Sequence, residues 1–130
     1  MIFDTSFLID IMNGNQAALS KVDEIESNGI IQVVPAMTLQ ELYIGVRASE
    51  LPEDERRKIE VVIETRPIVP TSEEIARKAG KIDGQLRKEG RPINVGDATI
   101  GATGIVRDEP VVTGDLDHFE RIPDLNVETY

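Results

Sequence analysis

Residues 1–12 read MIFDTSFLIDIM, and the order of events in that stretch decides how the rest of the chain is read. Met1 to Asp4 forms a short apolar strand that ends on an acid, and a helix follows over about Ser6 to Met12, stopped by Asn13-Gly14. The same alternation recurs downstream. A second helix is expected over Gln16 to Ser27, with Asn28-Gly29 as its stop signal. Ile30 to Val34 is an apolar run interrupted only by Gln32, the pattern of a strand buried on both faces. Thr38 caps a helix whose apolar positions are Leu39, Leu42, Tyr43 and Val46. Pro52 begins another that turns Ile59, Val62 and Ile63 inward, and Pro67 to Val69 is a short strand. Ser72 opens the longest helix, with a stripe of Ile75, Ala79, Ile82 and Leu86 and a stop at Gly90. A small-residue helix runs from Val95 to about Arg107, and strands follow at Pro110 to Thr113 and Leu125 to Glu128. Strands separated by helices require crossover connections. The expected fold class is therefore α/β, three layers with a central parallel β-sheet between helices.

No repeat, low-complexity block or linker divides residues 1–130, so one domain is expected. The absence of cysteine excludes disulfides, thiolate metal sites and cysteine nucleophiles. The opening residues lack the basic and apolar regions of a signal peptide, and no apolar run nears the roughly 20 residues of a membrane span. A soluble, cytoplasmic protein is the expectation. Asp and Glu number 24 against 14 Lys and Arg, a net charge of -10. That balance opposes general nucleic-acid binding and favours basic partners.

In open parallel sheets, ligand sites lie beyond the carboxyl ends of the strands. Asp4 ends the first strand there, although an aspartate before a helix also serves as its cap. Asp115 ends the strand Val111-Val112-Thr113 in a Gly114-Asp115 turn, where aspartate is common for conformational reasons alone. Asp97, in the first turn of the small-residue helix, suits that helix's dipole, yet Gly96 beside it permits close approach of a ligand or backbone. Glu41 stands three residues after Thr38, the spacing of a capping box. Taken singly, each acid has a structural explanation.

Four segments together resemble the PIN domain in order and spacing: DTSFLID, the helix containing QELYIGV, PINVGDATIGATG, and VVTGDLDHFERIPDL. The resemblance spans nearly the whole chain and runs closest to the VapC toxins of toxin–antitoxin pairs. It implies a PIN-like three-layer fold and a metal-dependent endoribonuclease, with Asp4, Glu41, Asp97 and Asp115 as its acidic cluster. Ser6 and Thr113 match accessory polar positions, and Asp117 is a further candidate acid. Many VapC sequences carry asparagine where this chain has Asp115.

Clustered carboxylates resist ionising together, and a divalent cation resolves the conflict. Hard oxygen ligands select Mg2+ or Mn2+, which lowers the pKa of a bound water and neutralises charge on a phosphate. The resemblance implies hydrolysis of RNA to a 5′-phosphate and a 3′-hydroxyl. Arg87, Lys88, Arg91 and Arg47 are candidate phosphate contacts, and equally are cations suited to helix ends. The lone histidine, His118, is expected to pack or cap the last turn rather than to act in catalysis. Further expectations are a cognate VapB-like antitoxin, whose basic residues would enter the acidic site, and a homodimer through the helices at 38–48 and 55–65.

Three other readings compete. An inactive PIN-type module would bind RNA or protein without cutting, but all four acids are present. A receiver-like signalling domain would need a lysine after the last strand, and none follows Asp115 there. A phosphatase with two acids separated by one residue after the first strand is opposed by Asp4-Thr5-Ser6.

Overall fold

A computed structural model describes all of residues 1–130. In chain order the elements are β1 (Ile2–Phe3), α1 (Thr5–Met12), α2 (Gln16–Ser27), β2 (Val34–Pro35), α3 (Ala36–Ala48), α4 (Pro52–Ile63), β3 (Ile68–Val69), α5 (Glu73–Lys88), α6 (Val95–Arg107), β4 (Val111–Val112), α7 (Leu116–Glu120) and β5 (Val127–Glu128). All strand pairings are parallel: β1 with β4, β4 with β5, and β2 with β3. A bridge between Ile2 and Val33 joins the two ladders, so the lateral order is β3-β2-β1-β4-β5. Chain order reverses direction at β1, and the crevice beyond the ends of β1 and β4 is the place where such sheets hold ligands.

Side-chain alternation along these short strands builds a core on each face. Ile2, Val33 and Val111 point to one side and pack with α5, α6 and the α7 region through Ile75, Ile82, Leu86, Ile100 and Phe119. Phe3, Val34 and Val112 point to the other and pack with α1 to α4 through Phe7, Leu8, Ile25, Leu42, Ile59 and Val62. Three α/β/α layers result from a two-residue period in the strands meeting amphipathic helices on both sides. On α5 all four stripe residues are buried, Ser72 accepts a hydrogen bond from the Ile75 amide, and Gly90 takes φ +71° just past the helix. A left-handed backbone there closes the helix at little cost only for glycine. The small residues of α6 serve two neighbours. A Cβ on Gly104 would lie 3.0 Å from Val111 Cγ2, whereas one on Gly101 would collide with Ile122.

Several sequence expectations need correction. The run from Ile30 to Val34 does not form a strand throughout. Ile31 is 69% exposed, and only Val33 and Val34 are buried, because they alone reach β1 and β3. Thr38 is no cap: α3 begins at Ala36 after Pro35, and the buried Thr38 hydroxyl donates to Phe3 O at 3.2 Å. Tyr43 is exposed rather than packed inward, while Leu42 is buried. The short helix α7, which follows β4, was not anticipated at all.

Candidate active site

Each strand end turns an acid into the β1–β4 crevice by local means. After β1, the extended backbone of Asp4 places its carboxylate over the first turn of α1, where Oδ1 accepts the Phe7 amide at 2.8 Å. The Ser6 hydroxyl lies 3.0 and 2.9 Å from the two Asp4 oxygens, and 3.2 Å from the Thr113 hydroxyl. Thr113 is itself anchored to the next turn, its Oγ1 accepting the Asp115 amide at 2.9 Å. Gly114 N donates to Ser6 Oγ at 3.0 Å, so hydroxyls stitch the two strand ends together.

Glu41 rises from α3 to the same place. Its Oε1 accepts the Thr5 hydroxyl at 2.6 Å, not a group near Thr38, which removes the capping-box explanation. A Cβ at position 96 would stand 2.5 Å from Glu41 Oε2, so glycine there is what admits the carboxylate against α6. Asp97 enters from the first turn of α6, a helix capped by Asn94, whose Oδ1 accepts the Asp97 amide at 2.7 Å. Asp97 Oδ2 receives Asn94 Nδ2 at 3.1 Å and lies 2.6 Å from His118 Nδ1. Asp115 stands at the exposed rim without a capping bond.

Asp4, Thr5, Ser6, Glu41, Asn94, Asp97, Asp115 and His118, with Ile9 and Phe119, line one cleft of about 240 Å³. Burial pushes the Asp4 carboxyl up from 3.8 to about 6, against the opposing hydrogen bonds of Thr113, Phe7 and Ser6, and the charge of Asp97 adds to the rise. Glu41 is raised as well, chiefly by burial, with Asp97 again adding repulsion. Mutual repulsion of partly desolvated carboxylates is the electrostatic setting a divalent cation relieves. No three of the acidic or imidazole groups form a ready-made cage as they are oriented. Glu41 and Asp97 each have one oxygen tied to a neighbour, and Asp115 is at the rim. The donor chemistry fits a hard cation: all four groups are carboxylates, and the second oxygens of Glu41 and Asp97 accept no hydrogen bond.

The structure thus brings Asp4, Glu41, Asp97 and Asp115 together, with Ser6 and Thr113 bridging beneath them. Asp117 is not part of this group; its exposed carboxylate pairs with Arg121 at 3.0 Å. Arg87 is held by Asp83 at 2.8 Å on the outer side of α5, while Arg47, Lys88 and Arg91 are exposed. Asn94 and Thr5 escaped sequence reasoning, and His118 was read there only as packing or capping the last turn. Asn94 was legible as a polar residue directly before a helix. Thr5 and His118 carried no local signal, because their partners are 36 and 21 residues away. His118 does not cap the last turn through its ring; it reaches Asp97.

Comparison with known proteins agrees with this fold. Ribonuclease VapC19 of Mycobacterium tuberculosis is 32% identical over 95% of both chains. Ribonuclease VapC1 of Haemophilus influenzae is 28% identical over 95% of this chain and 92% of its own. Among solved structures, VapBC-1 of nontypeable Haemophilus influenzae superposes with a TM-score of 0.84 at 28% identity, covering 99% of this chain and 98% of that one. VapBC2 of Rickettsia felis, solved with a promoter DNA fragment, superposes at 0.90 over 100% and 99% of the two chains; at 22% identity it speaks to the fold alone. The PIN domain model matches residues 1–125, and the chain belongs to the PIN domain family.

Proposed function

We propose that this chain is a VapC-type endoribonuclease, hydrolysing RNA phosphodiester bonds with Mg2+ or Mn2+, acting as one PIN unit over residues 1–130. The observation that carries this reading is the convergence of Asp4, Glu41, Asp97 and Asp115, from four separate elements, on one cleft at the β1–β4 crevice. Its support from relatives is their description as ribonucleases. A divalent cation held there would activate water and neutralise charge developing on the phosphate. Asp4, Asp97 and Glu41 would be its principal protein ligands, with Asp115 completing the set from the rim. Ser6, between the Asp4 carboxylate and the Gly114 amide, and Thr113, which accepts the Asp115 amide, would keep the two acids in register. Arg91 and Lys88, both exposed in the segment that precedes α6, are proposed to meet the RNA backbone, while Arg87 would first have to leave Asp83.

The test is cleavage of RNA by the purified chain with Mg2+ or Mn2+ and with chelator, compared with Asp4→Asn and Asp97→Asn. Metal-dependent cutting that both substitutions abolish, with 5′-phosphate products, is the expected result. Equal cutting by wild type and both variants would sink the proposal.

Two partners follow from the same reading. A VapB-like antitoxin is proposed as the inhibitor, since structures similar to this chain are VapBC complexes. A homodimer is proposed through α3 and α4, where Ile44 is 62% and Val61 71% exposed. A mass in solution that stays monomeric across concentrations would remove the dimer. No helix of the chain is long and apolar enough to cross a membrane.

A further inference from the structure

His118 is the chain's single histidine, and the fold spends several contacts on where it sits. The short helix that carries it is pinned by Phe119, buried in the core, and by Arg121, which donates to Pro92 O at 2.8 Å and pairs with Asp117 at 3.0 Å. The bond to Pro92 fastens α7 to the loop that enters α6, and with Phe119 in the core it fixes His118 relative to Asp97. His118 Nδ1 and Asp97 Oδ2 lie 2.6 Å apart, within hydrogen-bond distance. With Asp97 acting as the carboxylate that a metal ligand must be, Nδ1–H is the donor. Asn94 Nδ2 donates to the same oxygen at 3.1 Å from the opposite side of the chain order. Oδ2 is thereby satisfied twice, by two elements, while Oδ1 accepts no hydrogen bond.

We infer that His118 is a positioning residue: by holding Oδ2 from α7 it fixes the rotation of the Asp97 carboxylate and reserves Oδ1 as the oxygen offered to a divalent cation. The inference rests on the metal-dependent reading of the cleft and adds the element that orients one of its ligands. Asn94 alone leaves Asp97 tethered within its own helix turn. His118 supplies the second point, from outside α6, that a fixed rotation requires. Groups behind a metal ligand that set its orientation typically contribute about 10- to 100-fold in metal affinity.

The experiment compares wild type, His118→Leu, His118→Asn and Asp97→Asn in the full chain. Mn2+ affinity is read from the free-ion paramagnetic resonance signal, alongside the unfolding midpoint and RNA cleavage over a Mn2+ series. The leucine variant is expected to bind Mn2+ roughly 10- to 100-fold more weakly, with an unfolding midpoint close to wild type and with cleavage that returns as Mn2+ is raised. Asparagine, whose amide nitrogen can stand where Nδ1 stands, is expected to restore most of the affinity. Wild-type Mn2+ affinity in the leucine variant would overturn the inference, as would equal losses in leucine and asparagine variants. A loss of cleavage in the leucine variant that saturating Mn2+ does not repair would place the imidazole on the substrate instead, and would also overturn it. If Asp97→Asn itself binds Mn2+ like wild type, the underlying metal reading fails, an outcome separable from all of these.

Discussion

The β1–α1 and β4–α7 junctions occupy equivalent places in the fold and behave differently. Both deliver an aspartate from the carboxyl end of a parallel strand to the N-cap of the following helix. Asp4 is 3% exposed, caps α1 through the Phe7 amide, and has its carboxyl raised to about 6 by burial. Asp115 is exposed, makes no capping bond, and precedes a helix of only five residues. Topology supplies the location of an acid at a sheet edge, but burial decides how costly its charge is and how much a cation would relieve it. Asp4 is therefore the anchor of the cleft, and Asp115 an adjustable rim.

The largest difference between the junctions should appear in catalysis. Asp4→Asn is expected to lower RNA cleavage by roughly 10³-fold, the scale on which single preorganised electrostatic groups act. Asp115→Asn keeps an oxygen at the exposed rim and is expected to cost only about tenfold. Cleavage rates at saturating Mg2+ measure both. Equal losses would mean the burial difference has no bearing on function.

The second difference concerns stability and its pH dependence in chelator. A carboxyl whose folded value, about 6, exceeds its ordinary 3.8 binds its proton more tightly in the native state. The stability it contributes is complete below about pH 3.8 and is lost as pH rises through about 6. Asp4→Asn removes that loss, and chemical denaturation at pH 8 should show a gain of about 1–3 kcal/mol that vanishes near pH 4. Added Mn2+ should stabilise wild type above pH 6 and the variant little. Asp115→Asn, at an exposed site, should stay within about 0.5 kcal/mol at every pH.

Much of this geometry was readable before the structure, and the limits are physical. The four-residue stripe of α5 followed from periodicity and its glycine stop signal, since a helix records its neighbours within its own turns, and the small-residue stretch of α6 was read at its full span. Asp4, Asp97, Glu41 and Asp115 could be named together through the family resemblance, but nothing local separated Glu41 from a capping role. Only the fold shows that it bonds Thr5 and rests against Gly96. Strands of two residues carry too little pattern to set their own ends, which is why Ile30 and Ile31 read as sheet and lie at the surface. His118 was misread because its partner belongs to another helix.

The hydroxyl link between the junctions offers a smaller test. Thr113→Val keeps the shape but removes the oxygen that meets Ser6 at 3.2 Å and accepts the Asp115 amide at 2.9 Å. A cost of about 1 kcal/mol in stability is expected from the lost bonds, with about a tenfold loss of cleavage as Asp115 drifts from Asp4. A loss confined to stability, with cleavage intact, would make the link structural only.

The smallest effect should come from Tyr130, which braces one junction from behind. Its hydroxyl donates to Asp10 at 2.6 Å, its ring lies 4.8 Å from that of Phe7, and burial followed by Asp10 pushes its phenol well above the usual range. The hydroxyl also fills the space beside Gly114, where any Cβ would collide with it. Tyr130→Phe keeps the ring stacking but releases Asp10 and opens that space, at about 0.5–1.5 kcal/mol. Because the hydroxyl bonds Asp10 near the end of α1 and borders Gly114 of the β4–α7 turn, whereas Phe7 in the first turn of α1 keeps both the ring contact and the Asp4 cap, the consequences should be unequal. Amide exchange is expected to quicken at Gly114 and Asp115 while Phe7, held by Asp4, stays protected. Equal quickening at all three amides would show that the two junctions open together, and that the division into anchor and rim does not extend to dynamics.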